Sequence, residues 1–234
     1  MDPFEIKIYK DLQQGTEEWL ALREGKISAS QVEALMVGEL GTKGQYLTIV
    51  ESDKSGTFSK GAMTYLDRKV DEKRGRYYGE TTKTKAMDWG NRYEDRSRLL
   101  YEEKTGRSTY EIGFAECVGY NIGVSPDGLV IDSKRLIEIK NYNTNKVNKI
   151  VESGKIPKDA FLQMQMQMLV MDCPVCDFVL TDFHREATHE YTCFEVERDD
   201  SICEVMYNKL ISASEYIDEQ CKIVENQETA WLFE

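Results

Sequence analysis

Asp127, within Ser125-Pro126-Asp127-Gly128, and the triplet Glu138-Ile139-Lys140 are the residues of this chain best suited to chemistry. Two carboxylates and an ammonium gathered at one place suit hydrolysis of a phosphodiester. Hard divalent cations such as Mg²⁺ take oxygen ligands, which two carboxylates and a backbone carbonyl can supply. The reaction asks for a barrier reduction on the order of 20 kcal/mol. General acid–base help gives roughly 10²–10⁴-fold, so cations that hold the attacking water and the departing oxygen must supply much of the rest. Lys140 would orient the water or help to deprotonate it.

These residues meet only if the local elements bring them together. Successive side chains of a strand alternate faces, so in Leu136–Lys140 Ile137 and Ile139 point one way and Glu138 and Lys140 the other. Residues 128–131 read as a partner strand, joined through Asp132-Ser-Lys-Arg135 in a hairpin. Pro126 fixes the preceding turn and Gly128 lets the backbones approach closely, which places Asp127 near Glu138. Taken alone, Glu138 and Lys140 would equally fit an exposed ion pair worth about 0–1 kcal/mol. The Ser-Pro-Asp-Gly turn at hairpin distance favours the chemical reading.

The rest of the chain reads as helices around a cluster of strands, an α/β or α+β protein. A first helix begins near Thr16, and Ser28-Ala-Ser-Gln31 reads as a capping box opening a second helix to about Val37. Residues 38–61 are rich in Gly, Ser and Thr and look partly loop-like. Helices are expected around 63–73, over 89–104 with Gly106 just past its end, and over the methionine-rich 160–171. Residues 110–118 and 122–124 look extended, and 177–182 and 190–196 read as strands. An acidic amphipathic helix over about 199–224 closes the chain. No repeat or long linker divides the sequence, so one domain over 1–234 is expected, its core at about 14–197.

Composition excludes several classes. No apolar run approaches the roughly 20 residues of a membrane helix, and Met1-Asp2-Pro3-Phe4-Glu5 is no export signal, so a cytoplasmic protein is expected. Six cysteines lack a disulfide-framework spacing and suit free thiols in a reducing compartment. Cys173-Pro-Val-Cys176 has no second pair to complete a zinc site, although His184 and His189 could in principle join it, and two half-buried thiols are the plainer reading. The formal net charge of −12 is unusual for a DNA-binding protein. It is unevenly spread: residues 186–234 hold thirteen acids and three bases, whereas 68–85 hold seven bases and three acids and 133–158 seven and two. One cationic face on an anionic body would satisfy that pattern, as would a set of solvated helix faces.

An Asp in a Ser-Pro-Asp-Gly turn followed by a Glu-x-Lys strand resembles the PD-(D/E)xK nuclease superfamily. Trp19-Leu-Ala-Leu-Arg23-Glu-Gly-Lys-Ile-Ser28-Ala-Ser30, Trp89-Gly-Asn-Arg-Tyr-Glu94, Ser125-Pro-Asp-Gly-Leu129 and Gln163-Met-Gln165 occur in the order and approximate spacing of the YqaJ-type viral recombinases, the family of bacteriophage lambda exonuclease. The resemblance runs from about residue 14 to 172. It implies a restriction-endonuclease-like core, a central mixed β-sheet flanked by helices. It implies that Glu94, Asp127, Glu138 and the carbonyl of Ile139 bind metal, with two Mg²⁺ ions per site that Mn²⁺ can replace. Lys140 resembles the catalytic lysine, and Gln163 a glutamine on the helix closing the site. Arg23 and Ser30 resemble a pocket for a terminal 5′-phosphate. The residues agree, since Ser28 would open a helix whose N–H groups favour an anion and Arg23 offers a bidentate fork.

The resemblance also departs in places. Helicase-associated relatives carry a tyrosine four residues after the helix glutamine, where this chain has Gln167. Met164, Met166 and Met168 suit core packing, and residues 38–85 match little. The implied activity is 5′→3′ digestion of one strand of linear duplex DNA, leaving 3′ single strands for recombination. The implied partners are DNA ends, a single-strand annealing protein and further copies of this chain in a trimeric ring. The rival readings are an endonuclease, an iron–sulfur exonuclease linked to a helicase or CRISPR system, and a DNA-end-binding module without catalysis. The second needs cysteines on both sides of the core, and all six here lie at or after Cys117. The third sits poorly with a complete set of ligands and Lys140.

Overall fold

The computed structural model describes residues 3–43, 46–49, 58–76 and 85–230, with the side chains of 42–47, 85–91 and 225–230, Trp89 among them, outside that description. Its centre is a five-stranded mixed sheet of β5 (Thr109–Tyr110), β8 (Gly128–Val130), β9 (Arg135–Lys140), β10 (Val175–Thr181) and β11 (Tyr191–Glu197), in the order β11-β10-β9-β8-β5. β9 and β10 run parallel and the other neighbours antiparallel. The expected hairpin is present, with Gly128 opposite Ile137 and Leu129 opposite Leu136. Ile137 side-chain carbons would lie 2.9–3.0 Å from a β-carbon at Gly128, so this pairing needs glycine there.

Helices cover both faces of this sheet. Ile137 and Ile139 pack with Val130, Val179 and Tyr101 of α3 (Lys85–Thr105). On the opposite face Leu136, Phe178 and Leu180 pack against Met164 and Met168 of α5 (Lys158–Val170). α5 is buried on nearly all sides, because Leu162, Met166 and Val170 face a second core. That core joins α2 (Lys60–Lys73), α6 (Asp200–Ala230) and a four-stranded sheet in the order β1-β6-β7-β2. Its strands are β1 (Ile6–Tyr9), β2 (Ile27–Ser28), β6 (Phe114–Cys117) and β7 (Ile122–Val124). Ile202, Met206, Leu210, Ala213 and Ile217 of α6 are almost fully buried in it, so the acidic helix has a well-packed apolar stripe.

The structure corrects the sequence reading at several points. Ser28-Ala-Ser-Gln31 opens no α-helix: Ser28 ends β2, makes no side-chain cap, and is followed by a six-residue 3-10 helix, Ala29–Ala34. Ser28 N–H donates instead to the Tyr65 hydroxyl of α2 at 3.3 Å, a tertiary bond that outcompetes the local one. Within the loop-like 38–61 stretch, β3 (Leu40–Lys43) and β4 (Tyr46–Ile49) form a hairpin, while 44–45 and 50–57 lie outside the described residues. α1 (Glu17–Arg23) starts where expected, with Thr16 Oγ1 accepting from Trp19 N–H. α4 (Thr144–Ser153), capped by Asn143, is an additional helix. Cys173 and Cys176 are fully buried free thiols rather than half-buried ones. Three bases of α2 are engaged internally, Arg68 and Lys69 with Glu72 and Lys73 with Asp218 of α6. No helix among the described residues is long and apolar enough to cross a membrane.

Candidate active site

β9 fixes the centre of the site. Glu138 is fully buried, and both of its oxygens are engaged. Lys140 Nζ and Gln163 Nε2 donate to Oε1, the latter at 2.6 Å, and Gln167 Nε2 donates to Oε2 at 2.7 Å. Lys140 Nζ also reaches Gln163 Oε1 at 3.3 Å. Asp127, at the head of β8, accepts the Ile139 N–H at 2.6 Å, which ties the turn to the strand that carries Glu138. Glu94 comes from α3 and accepts from Arg98 at 3.1 Å, one turn along the same helix. Ser97, on that helix, bonds to Asn141 at 2.8 Å and Thr181 at 2.7 Å, pinning α3 to the ends of β9 and β10.

The electrostatics follow from crowding three carboxylates in a poorly hydrated place. Asp127 keeps some surface open to the cleft, yet protein surrounds it closely enough that burial is the main influence raising its pKa well above the ordinary value. The charges of Glu138 and Glu94 add to that rise, against Lys140 and the Ile139 N–H. Glu94 is also raised, chiefly by burial, with Arg98 opposing and Glu111, Glu138 and Asp95 reinforcing. Burial works against the Lys140 ammonium, but Glu138 and Asp127 outweigh it and hold its pKa above the usual lysine value.

The residues singled out in the sequence (Arg23, Ser28, Ser30, Glu94, Asp127, Glu138, Ile139, Lys140 and Gln163) all line one cleft of about 780 Å³. In the same lining the Arg23 guanidinium lies 3.9 Å from the centre of the Trp19 ring. Trp19 is itself fixed, its indole N–H donating to Gly113 O and Ser125 Oγ, both at 3.0 Å. No carboxylate among the described residues pairs with Arg23, and burial lowers its pKa from the ordinary arginine value, with Tyr65 and Glu72 opposing. Ser28 Oγ and Ser30 Oγ, which line the same cleft, stand 3.5 Å apart. Gly25, at φ 69°, makes the turn that returns the chain from Arg23 to β2, and its α-carbon side is closed by Lys73. A short 3-10 helix has little dipole to offer an anion, so Arg23 and the two hydroxyls are what this part of the chain presents to the cleft.

Gln167, His184, Tyr142 and Asn143 also line the cleft without having been singled out for the site. Period-2 and period-3.6 patterns do not reach across such distances. Spacing from Gln163 could have flagged Gln167, which lies on the same face of α5.

A divalent cation needs a donor set of hard oxygens. Among the described residues no three Asp, Glu, His or Cys side chains converge as a ready-made cage. The chemistry of the donors nevertheless fits: Asp127 and Glu94 are raised first by burial and further by neighbouring carboxylate charge, and a cation among Glu94, Asp127 and Glu138 would offset both.

Among solved structures, an alkaline exonuclease (LHK-Exo) from Laribacter hongkongensis is 26% identical, with a TM-score of 0.77 over 92% of this chain and all of that one. LHK-Exo in complex with dAMP is likewise 26% identical, with a TM-score of 0.74 over 93% of this chain and all of that one. A phage-related exonuclease from Haemophilus somnus 129PT, 16% identical with a TM-score of 0.60 over 85% of this chain and 96% of that one, shares the fold. No curated protein matches. The model of the YqaJ-like viral recombinase domain matches residues 18–174, a stretch holding the cleft-lining Arg23, the carboxylates and Lys140, and Gln163 and Gln167 on α5. The chain belongs to the YqaJ-like viral recombinase family.

Proposed function

We propose that this protein is a Mg²⁺-dependent 5′→3′ exonuclease that degrades one strand of linear duplex DNA and leaves 3′ single-stranded tails for phage-type recombination. The observation that carries this reading is the sharing of one cleft by Arg23, a cation with no carboxylate paired to it among the described residues, and the Asp127–Glu138–Lys140 group. A terminal phosphate held at Arg23, Ser28 and Ser30 brings the next phosphodiester toward the carboxylates, so cleavage is tied to an end. Family membership and the likeness to LHK-Exo support it.

In this reading Glu94, Asp127, Glu138 and the Ile139 carbonyl hold the metal, with two ions per site and Mn²⁺ able to substitute. The bound ions supply Lewis-acid charge neutralisation and a more acidic water. Lys140, kept protonated by its two carboxylate neighbours, orients the attacking water by donating a hydrogen bond. Gln163 keeps Lys140 and Glu138 in register by bonding to both. Arg23 neutralises the terminal phosphate with a charge-assisted fork. The protein acts in the cytoplasm as a homo-oligomer, a trimeric ring by family resemblance, alongside a single-strand annealing protein. A ring retains DNA by enclosure, which reconciles processive action with a net charge of −12.

The test is digestion of linear duplex with and without a 5′-phosphate in Mg²⁺. Preference for the phosphorylated end is expected. Indifference to the end, together with nicking of closed circles, would replace this reading with an endonuclease.

A further inference from the structure

α5 brings two glutamines to Glu138. Gln163 and Gln167 lie one turn apart on one face of the helix and donate to different oxygens of the same carboxylate, at 2.6 and 2.7 Å. Gln163 carries the family resemblance, whereas Gln167 stands where helicase-associated relatives have a tyrosine. Gln167 is fully buried yet lines the cleft. Its own Oε1 has no hydrogen-bond partner among the described residues. Its neighbours Met164, Met166, Met168 and Leu169 are apolar, and an apolar side chain here would carry no such unpaired oxygen, though it would leave Glu138 Oε2 without its donor. Burying an unpaired acceptor is destabilising, and a cleft-lining position offers it a ligand that the folded chain does not.

We propose that Gln167 is a positioning residue for cation binding, its amide N–H fixing the rotation of the Glu138 carboxylate while its carbonyl oxygen accepts from a water held in the cleft. This rests on the metal-dependent reading above. Without Gln167, Lys140 and Gln163 would both hold Oε1 and nothing would hold Oε2, so the carboxylate could turn about its terminal bond. Partners that orient a ligating side chain from behind set the affinity of a metal site as much as its reaction rate.

The experiment is calorimetric titration of the full chain with Mn²⁺ alone, without DNA, for the wild type and for Gln167→Met, Gln167→Leu and Gln167→His, each checked for a cooperative thermal transition. Met and Leu remove the donor and acceptor, and Mn²⁺ should bind them about 10–100-fold more weakly. Duplex cleavage by these two should recover most of its rate when Mn²⁺ is raised, a shift in the metal requirement rather than in the maximal rate. His keeps an N–H at similar reach and should bind Mn²⁺ within about threefold of the wild type, on the scale of such orienting effects. A folded Met or Leu variant with wild-type Mn²⁺ affinity would overturn the proposal, as would a His variant as weak as Met. Failure of the wild type itself to bind Mn²⁺ would instead sink the metal-dependent reading.

Discussion

In the cleft lining, Glu138 and Lys140 stand on β9, Asp127 at the head of its partner β8, and Glu94 on a 21-residue helix. Arg23, Ser28 and Ser30, in the same lining, sit on a seven-residue helix, a two-residue strand and a six-residue 3-10 helix. The first group concentrates like charge, and its geometry is over-determined by ladder hydrogen bonds and by α3 and α5 pressing from both faces. The second holds one cation by an aromatic face and relies on tertiary bonds, Ser28 to Tyr65 and Trp19 to Ser125, to fix irregular backbone. Groups that must cut need placement to fractions of an ångström and tolerate electrostatic strain for it. A group that only holds a terminal phosphate needs charge and access.

That contrast can be broken most directly at Lys140. Lys140→Met should lower single-turnover cleavage of phosphorylated duplex by roughly 10²–10⁴-fold, the range of general acid–base and water-positioning groups, without loosening binding to DNA ends. A fall of only a few-fold would move the chemistry away from β9. Arg23→Ala should act differently, slowing digestion of 5′-phosphorylated ends about 10–100-fold, as expected for loss of a charge-assisted bond, while 5′-hydroxyl ends are cut at the wild-type rate. An equal loss on both substrates would show that the two groups are not separate in function.

Asp127→Asn should sharpen the comparison through stability. The folded pKa of Asp127 lies above its unfolded value, so ionisation opposes folding as pH rises from the usual carboxylate range through the folded value. In metal-free buffer at neutral pH the Asn variant should melt higher, about 2–4 °C for each kcal/mol relieved in a chain of this length. The gain should vanish below about pH 4, where the wild-type carboxyl is protonated folded and unfolded alike. A lower melting temperature at neutral pH would mean that the bond to Ile139 N–H outweighs the repulsion. The smallest effect is expected at Ser97→Ala, which removes the link from α3 to Asn141 and Thr181 and should cost about 1 kcal/mol by thermal unfolding.

The two groups also differ in how readily the sequence discloses them. Strand parity put Glu138 and Lys140 on one face, opposite Ile137 and Ile139, and the Ser-Pro-Asp-Gly turn supplied the partner, because a hairpin is a local object. Helices α3 and α6 are legible for the same reason, each written in its own apolar period, whereas α1 is announced by its Thr16 cap and α5 by its run of methionines. Ser28 was misread because a capping-box pattern is also a local object, and here a hydroxyl 37 residues away takes its N–H. β1 pairs with β6 more than a hundred residues later, and two-residue β2 pairs with β7, so neither carries a pattern long enough to recognise. Gln167 escaped as a functional residue because a glutamine among methionines reads as tolerated core until Glu138 is seen beneath it.

The central claim is that one cleft both holds a terminal 5′-phosphate and cuts the strand that bears it. Digestion of a linear duplex labelled separately at the 5′ and 3′ ends of one strand, in Mg²⁺, tests it most directly. The account predicts that the 5′ label is released early in small products while the 3′ label stays in progressively shorter single strands, only when divalent metal is present. Early release of the 3′ label, or internal fragments without shortening from an end, would contradict it.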